Sequence, residues 1–243
     1  MRLISVLICA LLVTGIGANA QNKKIEYWLT KSDRSVLFTK QPALEFGATP
    51  ASGATIAVDD SKKYQEIDGF GFALTGGSAQ HIVKMSPGAR AKLLKELFAS
   101  DEKNIGISYI RLSMGASDLN EKIFSYNDLP AGQTDTAMEK FDLGLDRQDV
   151  VPVMKEILQI VPSIKVMGSP WSPPVWMKTN NDTRGGQLIP KYYSAYAKYF
   201  VKYLQQMKAE GITIDAVTIQ NEPLHPGNNP SLLMTAPDMA AFV

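Results

Sequence analysis

Alternating apolar and polar stretches predict strands and helices in turn along most of the chain. Helical spacing of apolar side chains predicts helices over residues 88–98, 149–160 and 190–210. Apolar stretches predict strands over residues 66–74, 107–114, 165–168 and 214–220. Elements that alternate in this way form a parallel sheet with right-handed crossovers. Polar residues suited to chemistry directly follow the second, third and fourth of these strands, which favours an α/β fold of the (β/α)8 TIM-barrel type.

The residues before this alternation follow a different pattern. Short strands are predicted at residues 25–30, 36–39 and 55–58, with proline and glycine between them and no helix. Residues 1–20 have the plan of a secretory signal peptide, with Arg2, an apolar stretch over 3–17 and the cleavage site Ala18-Asn19-Ala20. A membrane anchor is the alternative, but that stretch is shorter than the ~20 residues that span a bilayer.

These patterns divide the chain into three parts. We expect a signal peptide over residues 1–20, a β-strand segment over 21–63 and barrel units over 64–243. The protein should therefore be exported to the periplasm or the cell exterior, with no membrane span after cleavage. Near the end of the sequence, Thr235 can cap a helix whose first turn holds Pro237 and Asp238. Because this helix has only started at Val243, we expect about four of the barrel's βα units.

Composition excludes several kinds of site. The formal net charge of +1 gives no electrostatic reason to expect nucleic acid as a partner. Cys9, the only cysteine, lies inside the predicted signal peptide, so the mature chain would hold no disulfide and no cysteine nucleophile. His81 and His225 are the only histidines, too few for most histidine metal sites. We expect neither a metal nor a cofactor.

Glu222 is the first candidate for chemistry. An apolar strand leads directly into Asn221-Glu222-Pro223, so it delivers a carboxylate at the end where barrel enzymes hold their active sites. The alternative is a solvated turn, because Asn and Pro both favour turns. Arg111 stands inside an otherwise apolar strand, where a buried charge requires a carboxylate partner. Asp118 follows on the next loop and by itself suits an ordinary turn.

Two tryptophans follow the third barrel strand. Trp171 and Trp176 stand among three prolines and should form a rigid apolar wall. An indole ring can lie against the C–H face of a sugar while its N–H donates a hydrogen bond. We expect sugar contact from Trp171 and core packing from Trp176.

Several motifs in a compatible order resemble glycoside hydrolase family 30, in the branch that contains glucosylceramidase (acid β-glucosidase). The resemblance covers residues 65–243 and is carried by Asp68-Gly-Phe-Gly71, Tyr109-Ile-Arg111, Ser117-Asp118, Ser169-Pro-Trp171, Trp176-Met-Lys-Thr-Asn180, Tyr199-Phe-Val-Lys-Tyr203 and Ala216-Val-Thr-Ile-Gln-Asn-Glu-Pro223. It implies a retaining β-glycosidase whose N-terminal strands join a β-sandwich.

The resemblance also implies a role for each candidate residue. Glu222 matches the family's acid/base, and Asn221 the neighbour that binds the sugar 2-hydroxyl. Asp118 and Trp171 match residues that hold the glucose hydroxyls, and Arg111 an arginine that supports the catalytic carboxylates. No position matches the family's nucleophile, which follows the seventh strand. Residues 21–243 alone should therefore not hydrolyse an aryl β-glucoside.

Three functions remain open from the sequence. The resemblance favours a glucosylceramidase-like enzyme that cleaves terminal β-glucosides. A β-1,6-glucan hydrolase of the same family is the second possibility, so the expected partner is a β-glucoside or β-glucan substrate. The third is a carbohydrate-binding remnant that has lost its chemistry.

Overall fold

The structure is a computed structural model that describes residues 24–46, 53–54, 56–101 and 103–243. The predicted signal peptide lies outside the described residues. Within the described part of the chain, no helix is long and apolar enough to cross a membrane. The chain divides into two compact units between Tyr64 and Gln65.

The described residues of the first unit form two small antiparallel sheets. Strand β1 (Lys24–Ile25) pairs with β4 (Leu44–Glu45), and β2 (Trp28–Leu29) pairs with β3 (Thr39–Lys40). The predicted strand over 25–30 is thus two short strands, each with its own partner.

The strand predicted over 55–58 is wrong for its described residues. Residues 56–58 are irregular, and the Ile56 side chain is 89% exposed. Their apolar side chains do not pack into a core, and a strand without a paired neighbour leaves its backbone groups unbonded.

The second unit is built on four parallel strands. They are β5 (Gly71–Leu74), β6 (Tyr109–Met114), β7 (Lys165–Pro170) and β8 (Ala216–Val217), hydrogen-bonded in that order. The α-helices are α1 (Gly76–Lys84), α2 (Pro87–Phe98), α3 (Val150–Ile160), α4 (Tyr193–Ala209) and α5 (Ala236–Phe242). Short 3-10 turns cover Gly144–Arg147, Val175–Met177 and Pro190–Tyr192.

This order confirms the predicted half of a (β/α)8 barrel. Helices α1 and α2 connect β5 to β6, α3 connects β6 to β7, and α4 connects β7 to β8. Leu112 of β6 lies opposite Leu74 on one side and Gly168 on the other, so the strands end at a common edge. The core lies between sheet and helices, where Leu112, Val153 and Tyr203 are each fully buried.

Helix α1 is the main element that the sequence did not predict. Gly76 and Gly77 open it, and glycine is a poor helix former. The structure requires small residues there, because a Cβ atom added at Gly77 would lie 2.0 Å from the Leu119 carbonyl oxygen. Thr75 caps the helix by accepting a hydrogen bond from the Ser78 N–H group.

Two predicted strands are much longer than the observed ones, and β6 begins at Tyr109 rather than at residue 107. Strand β5 begins at Gly71 rather than at residue 66, and β8 covers two residues of the predicted 214–220. Strand β8 pairs with β7 on one side alone among the described residues. Single hydrogen bonds, such as Thr218 N–H to the Gly168 carbonyl at 2.9 Å, continue the pairing irregularly toward Glu222.

Candidate active site at the carboxyl edge of the sheet

Four of the five predicted site residues lie beyond the carboxyl ends of the parallel strands, and Arg111 lies within a strand. Arg111 is in β6 and Asp118 lies on the loop after it, Trp171 directly follows β7, and Asn221 and Glu222 follow β8. A continuous chain of contacts joins Asp118, Trp171, Arg111 and Asn221. The structure therefore brings together residues that are up to 110 positions apart in sequence.

Arg111 is the centre of this network. One guanidinium nitrogen, Nη2, donates to the Ser169 hydroxyl and to the Asn221 side-chain oxygen, both at 2.8 Å. No carboxylate lies within ion-pair distance of Arg111 among the described residues. Among the described residues, a hydroxyl and an amide therefore accept from Nη2 in place of the expected carboxylate, without a second buried charge.

Partial burial and a nearby carboxylate shift the pKa of Arg111 in opposite directions. Burial lowers the pKa of its guanidinium, while the negative charge of Glu222 raises it. An arginine remains protonated under all ordinary conditions. Arg111 therefore supplies a fixed positive charge whose field reaches the Glu222 carboxyl group.

Trp171 is held between Arg111 and Asp118. The guanidinium carbon lies 4.7 Å from the centre of an indole ring, a cation–π contact, and the indole N–H donates to Asp118 Oδ1 at 3.2 Å. The tryptophan is 5% exposed, whereas Asp118 is exposed. Asp118 Oδ2 has no protein partner among the described residues, so it is free to accept a hydrogen bond from a hydroxyl.

The amide of Asn221 has a defined orientation. Its oxygen accepts from Arg111, and its backbone N–H donates to the Pro170 carbonyl at 2.8 Å. The side-chain nitrogen makes no hydrogen bond with the other described residues and can therefore donate to a ligand. The contact with Arg111 thus determines which end of the amide is free.

Glu222 combines an exposed carboxyl group with a strained backbone. Its φ angle of 44° lies in the left-handed region, which is uncommon for residues other than glycine and occurs often at functional sites. Oε2 accepts from the Asn228 side-chain nitrogen at 2.7 Å, and Oε1 has no partner among the described residues. One carboxyl oxygen is therefore anchored and the other is free to exchange a proton with a ligand.

Sequence reasoning missed four residues that support the site. Ser169, which is fully buried, bonds Arg111 and shares a hydrogen bond of 2.5 Å with the Thr218 hydroxyl. The Gln220 side chain donates to the Trp171 carbonyl at 2.7 Å, and Asn228 holds Glu222. Ser169 stands inside a recognisable motif, but Asn228 has the sequence signal of an ordinary turn.

Trp176 has the core position that the sequence predicted. It is 8% exposed, its ring packs edge-on against Tyr192 at 5.1 Å, and its N–H donates to the Asn127 carbonyl at 3.1 Å. The core packing expected of Trp176 is therefore confirmed, and the sugar contact expected of Trp171 stays a prediction.

Beside these residues, the inner face of the sheet forms an open cavity. It is lined by side chains and backbone of β5, β6 and β7, among them Phe72, Tyr109, Arg111 and Met167. Within the described part of the chain, no group of three or more His, Cys, Asp or Glu side chains is arranged to hold a metal ion. The arrangement offers one proton-exchanging carboxyl group, one hydrogen-bond donor and one acceptor, which suits acid–base chemistry on a polyhydroxyl ligand.

Comparison with protein families identifies the barrel unit. Residues 67–236 match the model described as the glycosyl hydrolase family 30 TIM-barrel domain.

Individual relatives fall into two groups. The chain is 38% identical over 186 residues to an endo-1,6-β-D-glucanase of Neurospora crassa, covering 73% of this chain and 38% of that protein. It is 32% identical over 193 residues to the lysosomal acid glucosylceramidase of Mus musculus, covering 74% and 36%. The chain thus spans less than half the length of these relatives.

Solved structures show the same fold. The endo-β1,6-glucanase BT3312 superposes with a TM-score of 0.78 at 38% identity, covering 90% of this chain and 47% of that chain. SrfJ from Salmonella typhimurium superposes with a TM-score of 0.80 at 27% identity, covering 90% and 48%.

Proposed function

Because the chain belongs to glycosyl hydrolase family 30, we propose that the protein is a retaining endo-β-1,6-glucan hydrolase with Glu222 as its acid/base. The observation that carries this proposal is the single network in which Arg111 orients Asn221 beside Glu222. The glycosidase activity, the linkage and the role of Glu222 are all parts of this proposal.

The choice of a β-1,6-glucan rests on the relatives. A curated protein and a solved structure named as β-1,6-glucanases are both 38% identical to this chain, whereas the mouse glucosylceramidase is 32% identical. The glucosylceramidase-like function that the sequence favoured is therefore not confirmed, and the β-1,6-glucan alternative fits better. Glucosylceramide stays the second candidate, supported by the mouse relative.

The proposed mechanism uses the free atoms of the site. Glu222 starts protonated and gives its proton from Oε1 to the glycosidic oxygen, while a second carboxylate, placed about 5 Å from the first, attacks the anomeric carbon. The Asn221 side-chain nitrogen donates to the sugar 2-hydroxyl, a contact that strengthens in the oxocarbenium-like transition state. Glu222 then takes a proton from the water that hydrolyses the glycosyl-enzyme intermediate.

Asp118 and Trp171 orient the sugar in this proposal. Asp118 Oδ2 accepts from a hydroxyl of the glucose unit, and the indole N–H holds the same carboxylate in place at Oδ1. Since Trp171 is almost fully buried, it acts mainly through Asp118 and Arg111 rather than through a broad stacking face. Holding the sugar in one orientation lowers the entropic part of the barrier.

Product analysis of the complete gene product tests the substrate. We expect β-1,6-glucan to be cut into short oligomers, with little hydrolysis of a β-1,3-glucan or of glucosylceramide. Glu222→Gln should abolish the activity toward the polymer while the protein still folds, because the side chain is exposed. Release of glucose from glucosylceramide, with the β-1,6-glucan untouched, would contradict the proposed linkage and favour the second candidate.

Two further expectations from the sequence remain proposals. Export rests on the leader-like pattern of residues 1–20, and N-terminal sequencing of the secreted protein would show cleavage before Gln21. Residues 21–243 supply the acid/base but no match to the nucleophile. A preparation of only those residues should therefore leave an aryl β-glucoside intact.

A further inference from the structure

A buried lysine lies where two loops at the carboxyl edge of the sheet meet. Lys178 is 0% exposed, although lysine is almost never fully buried without a partner of opposite charge. No carboxylate lies within 4.0 Å of its ammonium group among the described residues. The sequence resemblance contained this residue in a motif but gave it no role.

The two loops can be defined by their hydrogen bonds. The β7 hairpin, residues 177–189, is closed by the Ile189 N–H donating to the Met177 carbonyl at 2.9 Å. The acid/base loop, residues 222–234, is closed by the Met234 N–H donating to the Pro223 carbonyl at 2.8 Å. Lys178 belongs to the hairpin, and Glu222 begins the acid/base loop.

Lys178 links these loops directly. Its Nζ atom donates to the Thr183 carbonyl at 3.0 Å and to the Ser231 carbonyl at 2.8 Å. The Ser231 N–H also donates to the Thr183 carbonyl at 3.0 Å, and the Gly185 N–H donates to the Ser231 hydroxyl at 2.9 Å. A buried ammonium group is costly, so these carbonyl groups are its main compensation.

The linked segment leads to the carboxyl group of Glu222. The Thr183 hydroxyl donates to the Asn229 side-chain oxygen at 2.7 Å, and the adjacent Asn228 donates to Glu222 Oε2 at 2.7 Å. Asn228 is the only side chain among the described residues that hydrogen-bonds the Glu222 carboxyl group. Its position therefore depends on residues 229–231, which the β7 hairpin holds.

We propose that Lys178 is a positioning residue for the acid/base. Its buried ammonium group fixes the acid/base loop against the β7 hairpin, so that Asn228 aims the Glu222 carboxyl group at the glycosidic oxygen. The proposal rests on the function proposed above for Glu222. Replacement of Lys178 should impair proton donation to the leaving group more than it impairs sugar binding.

The dependence of the rate on the leaving group distinguishes positioning from general stability. Aryl glycosides of β-1,6-linked glucobiose are compared, one with a 2,4-dinitrophenyl group that leaves without protonation and one with a poor leaving group. General acid catalysis contributes roughly 100- to 10,000-fold and acts on the poor leaving group. In the complete gene product, Lys178→Met should therefore lower kcat/KM for the poor leaving group about 10-fold more than for the dinitrophenyl compound.

A second variant and a control complete the test. Thr183→Val removes the hydroxyl that bonds Asn229 without touching the buried ammonium, so it should shift the same ratio in the same direction. If Lys178→Met does not fold, the result for Thr183→Val alone tests the proposed positioning. Lys208→Met, at an exposed position of α4, removes an equal charge and should leave the ratio unchanged.

The outcomes separate this inference from the proposed function. If the unaltered protein cleaves both compounds but the Lys178 and Thr183 variants keep its ratio, the positioning role is refuted and the proposed function stands. An equal loss on both compounds has the same meaning, because it reports a general structural effect. If the unaltered protein cleaves neither compound, the proposed function fails, and the inference that depends on it fails too.

Discussion

Replacing Lys178 by methionine should change how the stability of the protein depends on pH. Burial lowers the pKa of its ammonium group from 10.5 to about 8, and the Asp182 carboxylate acts in the opposite direction. The unfolded chain, in which the group is solvated, keeps its proton up to the ordinary value. A pKa gap of about 2.5 corresponds to about 3 kcal/mol by which the charged lysine destabilises the fold at neutral pH.

The direction of this pH dependence follows from whether the folded or the unfolded state binds more protons. Below about pH 8 both states carry the proton, and the folded state bears the full cost of the buried charge. Between about pH 8 and the ordinary lysine value, the unfolded state binds the proton more tightly, so stability rises with pH. We subtract the free energy of unfolding of Lys178→Met from that of the unaltered protein. This difference should increase by about 2 kcal/mol between about pH 7.5 and 9.5.

Urea denaturation at several pH values, followed by tryptophan fluorescence, measures this difference, with Lys208→Met as the matched variant. Burial raises the pKa of four tyrosines, which remain neutral in the fold: Tyr126, Tyr196, Tyr199 and Tyr203. They destabilise the fold only above about pH 10, where tyrosine ionises in the unfolded chain. A difference between unaltered protein and Lys178→Met that stays constant or falls over the range would refute the reasoning.

Three further substitutions test other contacts. Arg111→Met leaves the Asn221 amide without the donor that orients it, so kcat/KM on β-1,6-glucan should fall roughly 10- to 100-fold; an unchanged rate would contradict this. Trp171→Phe keeps a ring beneath the guanidinium but removes the indole N–H; KM should rise about 5-fold with kcat less affected, as steady-state kinetics would show. Tyr126→Phe removes the hydroxyl bonded to the buried Asp146 carboxyl group and should cost about 2 kcal/mol in a denaturation experiment.

The parallel sheet was predictable because its strands and helices have clear apolar periodicity. Leu112 and Val166 lie in strands whose apolar side chains pack against the helices, and the apolar pattern of these strands predicts that burial. Helix α1 was not predictable, because Gly76 and Gly77 oppose a helix locally. The reason for glycine there is the close approach of Leu119, about forty residues further along the chain.

The candidate site also contains residues that the sequence predicted and residues that it did not. Glu222 and Trp171 were recognisable because they follow strands and belong to motifs. Asn228 and Lys178 were not assigned roles. Asn228 reaches Glu222 only because the acid/base loop folds back on itself, and Lys178 reaches Ser231 only when two loops pack together. Among the described residues Arg111 has no carboxylate within ion-pair distance, and its Nη2 donates instead to a hydroxyl and an amide from later parts of the chain.

The hydrogen bond between Arg111 and Asn221 also has a consequence for the order in which the protein matures during synthesis. Its two ends are separated by 110 residues, so the ribosome makes the second βα unit long before the fourth. Contacts so distant in sequence form late, after the local helices and neighbouring strands. Until residue 221 has emerged, the Arg111 side chain lacks the amide oxygen to which it donates. This part of the candidate site therefore forms late in synthesis, although Arg111 is translated early.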